Sequence, residues 1–352
     1  MNAVSRRLVV VFCLSSGLAS AGAPDSVPKG ERAKLNVFDE ARAQAAGYRR
    51  QGPVPEPKDN PSTPAKIALG KMLFFDPRLS ASQIVSCATC HNPSLSWGDG
   101  LPRAVGHGMK TLGRRTPTIL NAGFGGPFMW DGRFETLEDQ ALGPITSPAE
   151  MNMPADDVVA RLRGVEAYVT AFEKTFPGEG IKPVTIARAI AAYERTVVSP
   201  PAPFDRFVAG DRSAISQRAQ RGFLVFNGKA GCANCHSGWR FTDDSFHDIG
   251  VSDADVGRGA LKDFTELTPL QHAFKTPSLR DVERRAPFLH DGSATSLEAV
   301  IDFYDRGGDA KRESLSSDVK PLGLSAQEKA DLLEFLKTLS SPVDVAVPVL
   351  PR

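Results

Sequence analysis

Long apolar runs, an excess of charge of either sign and spare cysteines are all missing from this sequence of 352 residues. Beyond the first 21 residues, no apolar run reaches the roughly 20 residues that a membrane-spanning helix needs. The chain has 42 Lys and Arg against 41 Asp and Glu, so its net charge is +1. Such a balance gives no case for binding nucleic acid or an anionic membrane surface. We therefore expect a globular protein without stable membrane insertion and without a nucleic-acid partner.

The N-terminus has the pattern of an export signal. Arg6 and Arg7 precede the apolar segment "LVVVFCLSSGLA", and "ASA" at 19–21 suits cleavage before Gly22. Residues 1–21 are therefore predicted to be a signal peptide, and the mature chain is expected in the periplasm if the source is a Gram-negative bacterium. Residues 22–60 contain many prolines, and we expect them to form an extended lead-in.

Cysteine is scarce, and its placement is informative. The chain has five cysteines, and removal of the signal peptide leaves four, all within "CATCH" (87–91) and "CANCH" (232–236). In Cys-x-x-Cys-His the two thiols form thioethers with the vinyl groups of one haem, and the histidine ligates its iron. The sequence thus predicts two covalently bound haem c groups, held by these residues: Cys87, Cys90 and His91 for the first, and Cys232, Cys235 and His236 for the second.

Zinc, simple disulfides and a thioredoxin-like motif are the alternatives for these cysteines. The two pairs lie 145 residues apart, simple disulfides have no need of the two histidines, and no βαβ pattern surrounds either pair. Haem attachment is therefore the preferred interpretation.

An internal repeat divides the chain. Residues 116–138, "TPTILNAGFGGPFMWDGRFETLE", match 276–298, "TPSLRDVERRAPFLHDGSATSLE", without a gap and at an offset of 160. The repeat predicts an N-terminal haem domain at about 61–203 and a C-terminal haem domain at about 204–345.

The fold class is predicted to be mainly α, with two c-type cytochrome-like haem domains related by this repeat. Amphipathic helices are predicted over 156–176, 184–198 and 325–339, the last with a capping box of Ser325 and Glu328. No run of alternating apolar and polar residues indicates a long strand.

Methionine is absent after residue 153, although it is often the second axial ligand of a c-type haem used for electron transfer. The candidates for that position in the second domain are Tyr304, His247, His272 and His290. Tyr304 follows His236 by 68 residues and aligns with Pro144 in the repeat. One domain therefore offers a ligand where the other has a side chain that cannot bind iron, which suggests a closed haem for electrons and an open one for chemistry. The alternative role for Tyr304 is a core tyrosine of an amphipathic helix.

Many short blocks of this sequence occur in the same order in one known family. They include "SCATCHNPS", "VGHGMK", "RTPTILNA", "WDGRFETLEDQALGP", "EMNM", "GCANCHSG" and "HDGSATSLEAV". On these blocks the chain resembles the bacterial dihaem cytochrome c peroxidases, the family that includes MauG. The resemblance extends from about residue 68 to residue 342, which is most of the mature chain.

The resemblance implies roles for individual residues. The N-terminal haem would be the peroxidatic one, with His91 as proximal ligand and with His107, in "GHG", on its far side in the resting oxidised state. The open pocket beside it would be formed by Gln140, Pro144 and Glu150, with Glu150 as the acid–base group. Trp130 would carry electrons between the haems.

For the second haem the resemblance implies His236 as proximal ligand, with Tyr304 where most of these peroxidases have methionine. That is the choice of the MauG type. The family's inter-haem calcium uses an asparagine side chain, and the matching residue here is Arg115, beside the backbone carbonyls of Arg285 and Pro287. A guanidinium disfavours calcium at that point, and Arg115 is the alternative source of the positive charge.

The leading functional hypothesis is reduction of hydrogen peroxide at the N-terminal haem, with electrons from a cytochrome c or a cupredoxin. The runner-up is a MauG-like oxidase that uses peroxide to oxidise Trp or Tyr of a partner protein. A dihaem electron carrier without catalysis is a third possibility, and Pro144 and Glu150 argue against it. The alternative to a functional role is a purely structural one for each of these residues: a charge at a helix end for Glu150, a core aromatic for Trp130 and a loop residue for His107. Members of this family are often dimers, so a homodimer is a further expectation.

Overall fold

The fold is described from a computed structural model, which describes residues 37–252, 254–342 and 345–351. The predicted signal peptide, 1–21, lies outside these residues. Within the described ranges, no helix combines the length and the apolar character that crossing a membrane requires.

Eleven α-helices are found in the described part of the chain. They are α1 (Val37–Ala45), α2 (Pro64–Phe75), α3 (Cys87–Cys90), α4 (Leu137–Thr146), α5 (Ala155–Arg163), α6 (Glu166–Thr175), α7 (Pro183–Glu194), α8 (Pro203–Val208), α9 (Gln217–Asn227), α10 (Leu297–Asp305) and α11 (Ala326–Lys337). The prediction of a mainly helical protein is confirmed.

The remaining regular structure is short. Single 3₁₀ turns lie at Ala46–Tyr48, Pro77–Leu79, Pro93–Leu95, His107–Met109, Ala122–Phe124, Cys232–Asn234, Arg258–Ala260, Thr268–Leu270 and Val282–Arg284. Strands β1 (Phe246–His247) and β2 (Phe274–Lys275) pair antiparallel, with Phe246 opposite Lys275. The long segments between the helices leave room for a large group bound among them.

The helices enclose two clusters of buried apolar side chains. One is built mainly from α2, α4, α5, α6 and α7, and includes Leu73, Ile145, Leu162, Phe172 and Ile190. The other is built mainly from α1, α8, α9, α10 and α11, and includes Phe38, Phe204, Phe223, Ile301 and Phe335. Burial of apolar surface on this scale is the main favourable contribution to folding.

A glycine permits the closest helix contact in each cluster. A Cβ on Gly70 of α2 would lie 1.8 Å from the carbonyl oxygen of Ala189 on α7, and one on Gly222 of α9 would lie 1.9 Å from that of Asp331 on α11. Because no side chain fits at such separations, α2 can cross α7, and α9 can cross α11, only with glycine at these points.

Backbone features recur 160 residues apart, the spacing of the sequence repeat. Asn121 and Asp281 both have left-handed backbones, with φ of 63° and 61°, and each precedes a 3₁₀ turn. Helices α4 and α10 begin at Leu137 and Leu297, again 160 residues apart. Isolated antiparallel bridges join Phe128 to Phe134 and Phe288 to Ala294.

Part of the predicted lead-in is helical, and residues 22–36 of it lie outside the described residues. Residues 37–48, which fall within the expected extended segment 22–60, form α1 and a 3₁₀ turn instead. Phe38, Ala41, Ala45 and Tyr48 are buried in the cluster of α9 and α11. Helix formation here results from packing of one apolar face, which outweighed the prolines that follow.

Helix boundaries were predicted with mixed success. The capping box of α11 is confirmed: the Ser325 hydroxyl accepts from the Glu328 amide (3.2 Å), and the Glu328 carboxylate accepts from the Ser325 amide (2.7 Å). The single helix predicted over 156–176 is wrong in part, because α5 ends before Gly164 and α6 begins at Glu166. Glycine weakens a helix interior, and Val165 is extended between the two.

Candidate functional site

The first Cys-x-x-Cys-His motif folds as a single helical turn at the edge of a cavity. Ser86 precedes α3, and its amide donates to the Thr89 hydroxyl (2.9 Å). The His91 amide donates to the Cys87 carbonyl (2.8 Å). This turn brings Cys87, Cys90 and His91 to the lining of a cavity of about 510 Å³, the first cavity.

The second motif folds as a 3₁₀ turn at Cys232–Asn234 and is closed by the same backbone hydrogen bond to its histidine. The His236 amide donates to the Cys232 carbonyl (2.8 Å). Cys232, Cys235 and His236 line a smaller cavity of about 180 Å³, the second cavity. Each of the two predicted motifs therefore has a cavity of its own.

A backbone carbonyl orients each histidine ring. His91 donates from Nδ1 to the carbonyl of Trp97 (3.2 Å), and His236 donates from Nδ1 to that of Phe241 (2.9 Å). A proton on Nδ1 leaves the lone pair of Nε2 available for a metal. Trp97 and Phe241 are both left-handed, with φ of 63° and 58°, a conformation that costs a bulky residue about 1–3 kcal/mol.

Of the candidates for the second ligand in the second cavity, Tyr304 is best placed. Tyr304 lies on α10 and lines the second cavity with His236. Burial raises the pKa of its phenol, so the side chain is neutral unless a metal ion draws off the proton.

The three histidine candidates are engaged elsewhere or lie outside the cavity lining. His247 is engaged through Nε2 with Asp243 (2.8 Å), and this contact, followed by that with the Cys235 sulfur, raises the pKa of its imidazole. His290 stacks on Phe274 with ring centroids 3.5 Å apart. His272 does not line the second cavity, and its Nδ1 donates to the backbone carbonyl of Asp255 (2.9 Å).

The structure brings the predicted distal residues to one place. Gln140, Pro144, Glu150 and Trp130 line the first cavity together with His91. Gln140 and Pro144 lie on α4, and a turn from Ser147, whose carbonyl accepts from the Glu150 amide (3.1 Å), carries Glu150 to the same cavity. The half-buried Glu150 carboxylate thus lies in the same cavity as Pro144, whose side chain has no atom that can ligate a metal.

His107 does not line the first cavity, although Gly106 does. The His107 amide donates to the Ala149 carbonyl (3.1 Å), next to Glu150 in sequence. Nδ1 of His107 is buried and has no hydrogen-bond partner among the described residues. The turn continues to Met109, which is 82% exposed. Ligation by His107 therefore stays a prediction.

One group of residues lines both cavities, and we call it the shared wall. It consists of Arg115, Trp130, Lys275, Thr276, Pro277, Ser278 and Arg285. Trp130 is fixed within it, because its indole Nε1 donates to the Arg115 carbonyl (2.9 Å) and its own carbonyl accepts from the Lys275 amide (2.8 Å). The resemblance implied that Trp130 lies between two haems, and in the structure Trp130 lines both cavities.

The residues that line the two cavities fit the chemistry of haem. Haem is a flat apolar ring with two carboxylate groups, and it needs thiols for attachment, an imidazole for iron and cations for its acids. The cavities supply the thiols and the imidazoles, and the shared wall supplies cations. Burial lowers the pKa of Arg115 to about 10 and that of Arg285 to about 9, so both guanidinium groups stay charged at neutral pH.

Glu194 is a cavity residue that sequence reasoning missed. It lies at the end of α7, is 4% exposed, and lines the first cavity. Burial raises the pKa of its carboxyl to about 8, and its Oε2 has no partner among the described residues. The neighbouring Arg195 pairs with Glu138 instead (2.8 Å). A glutamate on the apolar face of the helix predicted over 184–198 was the signal that could have revealed it.

Glu194→Gln is expected to change how stability depends on pH. The folded chain keeps a proton on Glu194 that the unfolded chain releases, so this residue lowers the free energy of unfolding as pH rises from about 4.5 to about 8. Glutamine removes that loss. The difference between the thermal unfolding midpoints, variant minus wild type, should therefore increase by about 5 °C from pH 5 to pH 8. Glu166→Gln, on the exposed side of α6, is the control, and equal pH profiles for wild type and Glu194→Gln would contradict the assignment.

Known proteins with two haem groups resemble this chain in sequence and in structure. Residues 64–213 match the family described as di-haem cytochrome c peroxidase. The chain is 55% identical to the methylamine utilization protein MauG of Methylorubrum extorquens, over 88% of this chain and 88% of that protein. It is 34% identical to the cytochrome c551 peroxidase of Pseudomonas aeruginosa, over 85% of this chain and 87% of the relative. A crystal structure of a MauG-like protein associated with microbial copper homeostasis superposes with a TM-score of 0.76 at 33% identity, covering 82% of this chain and 93% of that one.

Proposed function

The chain belongs to the di-haem cytochrome c peroxidase family of redox enzymes, and we propose that it is a MauG-type member. In this proposal it uses hydrogen peroxide to oxidise Trp or Tyr side chains of a partner protein. The observation that carries the proposal is Tyr304, which lines the second cavity with His236. A phenolate ligand lowers the potential of a haem, and a low potential suits an enzyme that stores oxidising equivalents for a partner.

Two haem groups would be held by the two motifs. Thioethers to Cys87 and Cys90 and to Cys232 and Cys235 would attach them, and Nε2 of each motif histidine would ligate iron. We assign them to an N-terminal domain at about 61–203 and a C-terminal domain at about 204–345, in line with the recurrence of backbone features 160 residues apart. When bound, haem supplies the redox chemistry of O–O bond cleavage.

The protein's own part in the first cavity is binding and proton transfer. The Glu150 carboxylate can accept a proton from hydrogen peroxide and return it to the departing oxygen, which then leaves as water. The Gln140 amide can orient peroxide by hydrogen bonding. Pro144 has no side-chain atom that can ligate a metal, so it would leave a coordination position open in the first cavity.

Electron transfer between the sites is assigned to Trp130 in the shared wall. Its ring is fixed by hydrogen bonds at both its indole nitrogen and its carbonyl. Electrons would enter from the partner through the second site and pass Trp130 to the first. The partner is a protein substrate in this proposal, and we place the enzyme in the periplasm, after cleavage of residues 1–21.

A second candidate function is peroxide reduction with electrons from a cytochrome c or a cupredoxin. It is favoured by His107, because a histidine on a turn beside Glu150 suits a site that opens only after the second haem is reduced. Movement of that turn would be the activating step.

Steady turnover with a reduced c-type cytochrome separates the two functions. For the MauG-type enzyme we expect little peroxide-dependent oxidation of the cytochrome, and a spectrum that stays changed for minutes after one equivalent of peroxide. Absorption and EPR spectra of the oxidised protein should at the same time show a five-coordinate first haem, since His107 lies outside the first cavity. Rapid, continuous oxidation of the cytochrome would instead establish the peroxidase.

A further inference from the structure

Two arginines of the shared wall differ from the other basic residues around the first cavity. Arg114 and Arg133 both pair with Asp131, and Lys275 pairs with Asp244 (3.1 Å). In contrast, the Nε atoms of Arg115 and Arg285 are buried and have no hydrogen-bond partner among the described residues. Buried donors of charged groups are normally satisfied, so these two indicate a missing anionic partner.

The two carboxylates whose charges act on these arginines accept hydrogen bonds from other groups. Asp99 acts on Arg115 through its charge, but it accepts from the Thr116 hydroxyl (2.6 Å). Asp281 acts on Arg285 in the same way, but it accepts from the Ser96 hydroxyl (2.6 Å) and the Ser341 amide (3.0 Å). Neither carboxylate hydrogen-bonds to these Nε atoms, so we expect the anionic partner among the groups that would fill the cavities.

The backbone holds Arg115 in a fixed place. Its amide donates to the His290 carbonyl (2.9 Å), and its carbonyl accepts from Nε1 of Trp130 (2.9 Å). Its Nη2 donates to the carbonyl of Arg285 (2.8 Å). The guanidinium group thus lies against Arg285, at the junction of the two cavities.

Calcium does not fit at this junction. The resemblance implied an ion bound by an asparagine side chain at position 115 and by the carbonyls of Arg285 and Pro287. Calcium needs six to eight oxygen ligands, whereas guanidinium has donors and no acceptor. The Arg285 carbonyl already accepts from Arg115, and a divalent ion here would face two positive side chains.

We propose that Arg115 and Arg285 take the place of the divalent cation, binding the carboxylate groups of the two haems across the shared wall. The chain then holds both haems without calcium. This inference rests on the proposed function, because haem in both cavities supplies the anions. It also explains why two cations tolerate one another in a buried position.

The test uses the holoprotein after dialysis against EGTA. Wild type should contain less than about one tenth of a calcium ion per chain by mass spectrometry of metals. Its spectra and the midpoint potentials of both haems should be unchanged by EGTA or by added calcium chloride.

Variants test the charge directly. Arg115→Asn, measured in EGTA so that no calcium replaces the lost charge, removes a positive charge next to both haems. Both midpoint potentials should then move to lower values, because the oxidised state is less disfavoured. Arg115→Lys keeps the charge and should retain potentials near those of wild type. Arg206→Asn, on the exposed part of α8, is the matched control and should leave both unchanged.

The outcomes separate this inference from the proposed function. One tightly bound calcium ion in a wild-type chain that carries both haems would overturn the inference alone, and so would unaltered potentials in Arg115→Asn. A chain that carries no covalent haem, as counted by the pyridine haemochrome assay, would contradict the proposed function itself. The calcium measurement on wild type needs no variant to fold.

Discussion

Glu150→Gln is expected to reduce peroxide-dependent turnover by at least about 100-fold, since positioned acid–base groups contribute about 10²–10⁴ in rate. Glutamine has nearly the shape of glutamate and can still donate and accept hydrogen bonds, but it cannot carry the proton from one peroxide oxygen to the other. Stopped-flow absorption after mixing with peroxide measures the effect, and the spectra of both resting haems should stay unchanged.

Two controls accompany the Glu150 variant. Glu166→Gln makes the same chemical change on the exposed side of α6 and should react at the wild-type rate. Glu194→Gln alters another carboxyl that lines the first cavity, and it distinguishes a general need for acid there from a need for Glu150. Full peroxide reactivity in Glu150→Gln would remove Glu150 from the mechanism.

Tyr304→Met is expected to raise the midpoint potential of the second haem by an amount on the order of hundreds of millivolts. A phenolate donates charge and stabilises ferric iron, whereas a thioether favours the ferrous state. Axial ligands as a class set haem potentials over about 0.8 V, so this exchange belongs among the largest that one substitution can produce. Spectroelectrochemical titration resolves the two haems and measures the shift.

The neighbouring residue provides the control for Tyr304. Phe303 is buried and its ring contacts Tyr304 edge to face, with centroids 5.3 Å apart, but it does not line the second cavity. Phe303→Met places the same thioether one position away and should leave the potential near its wild-type value. An unchanged titration in Tyr304→Met would show that Tyr304 is not an iron ligand.

The parts of the site that could be predicted are those that short-range patterns determine. Cys-x-x-Cys-His needs one helical turn, and α3 is that turn. The Ser325 capping box is likewise local, and it begins α11 as expected. Features that depend on long-range packing were missed, since no local pattern showed that α1 would pack in the second cluster or that Glu194 would lie at the first cavity.

His107 shows a different limit of sequence reasoning. The motif "GHG" matched its family position, but a match in sequence fixes no side-chain direction. Gly106 packs so tightly that a Cβ there would lie 1.9 Å from the Ala149 carbonyl oxygen. This close approach determines the path of the turn, and in the described structure that path leaves His107 outside the cavity lining.

Each of the two motif histidines is oriented by a backbone carbonyl, that of Trp97 or that of Phe241, and both of these residues have a left-handed backbone. Because the acceptor is a backbone oxygen, it remains when the side chain of Trp97 or Phe241 is replaced. The hydrogen bond to the histidine, and with it the electron density on the imidazole, is then largely kept. Evolution within such a scaffold can therefore vary the residue that faces each histidine's cavity, such as Tyr304 in the second and Pro144 in the first, while the carbonyl that orients each histidine stays constant.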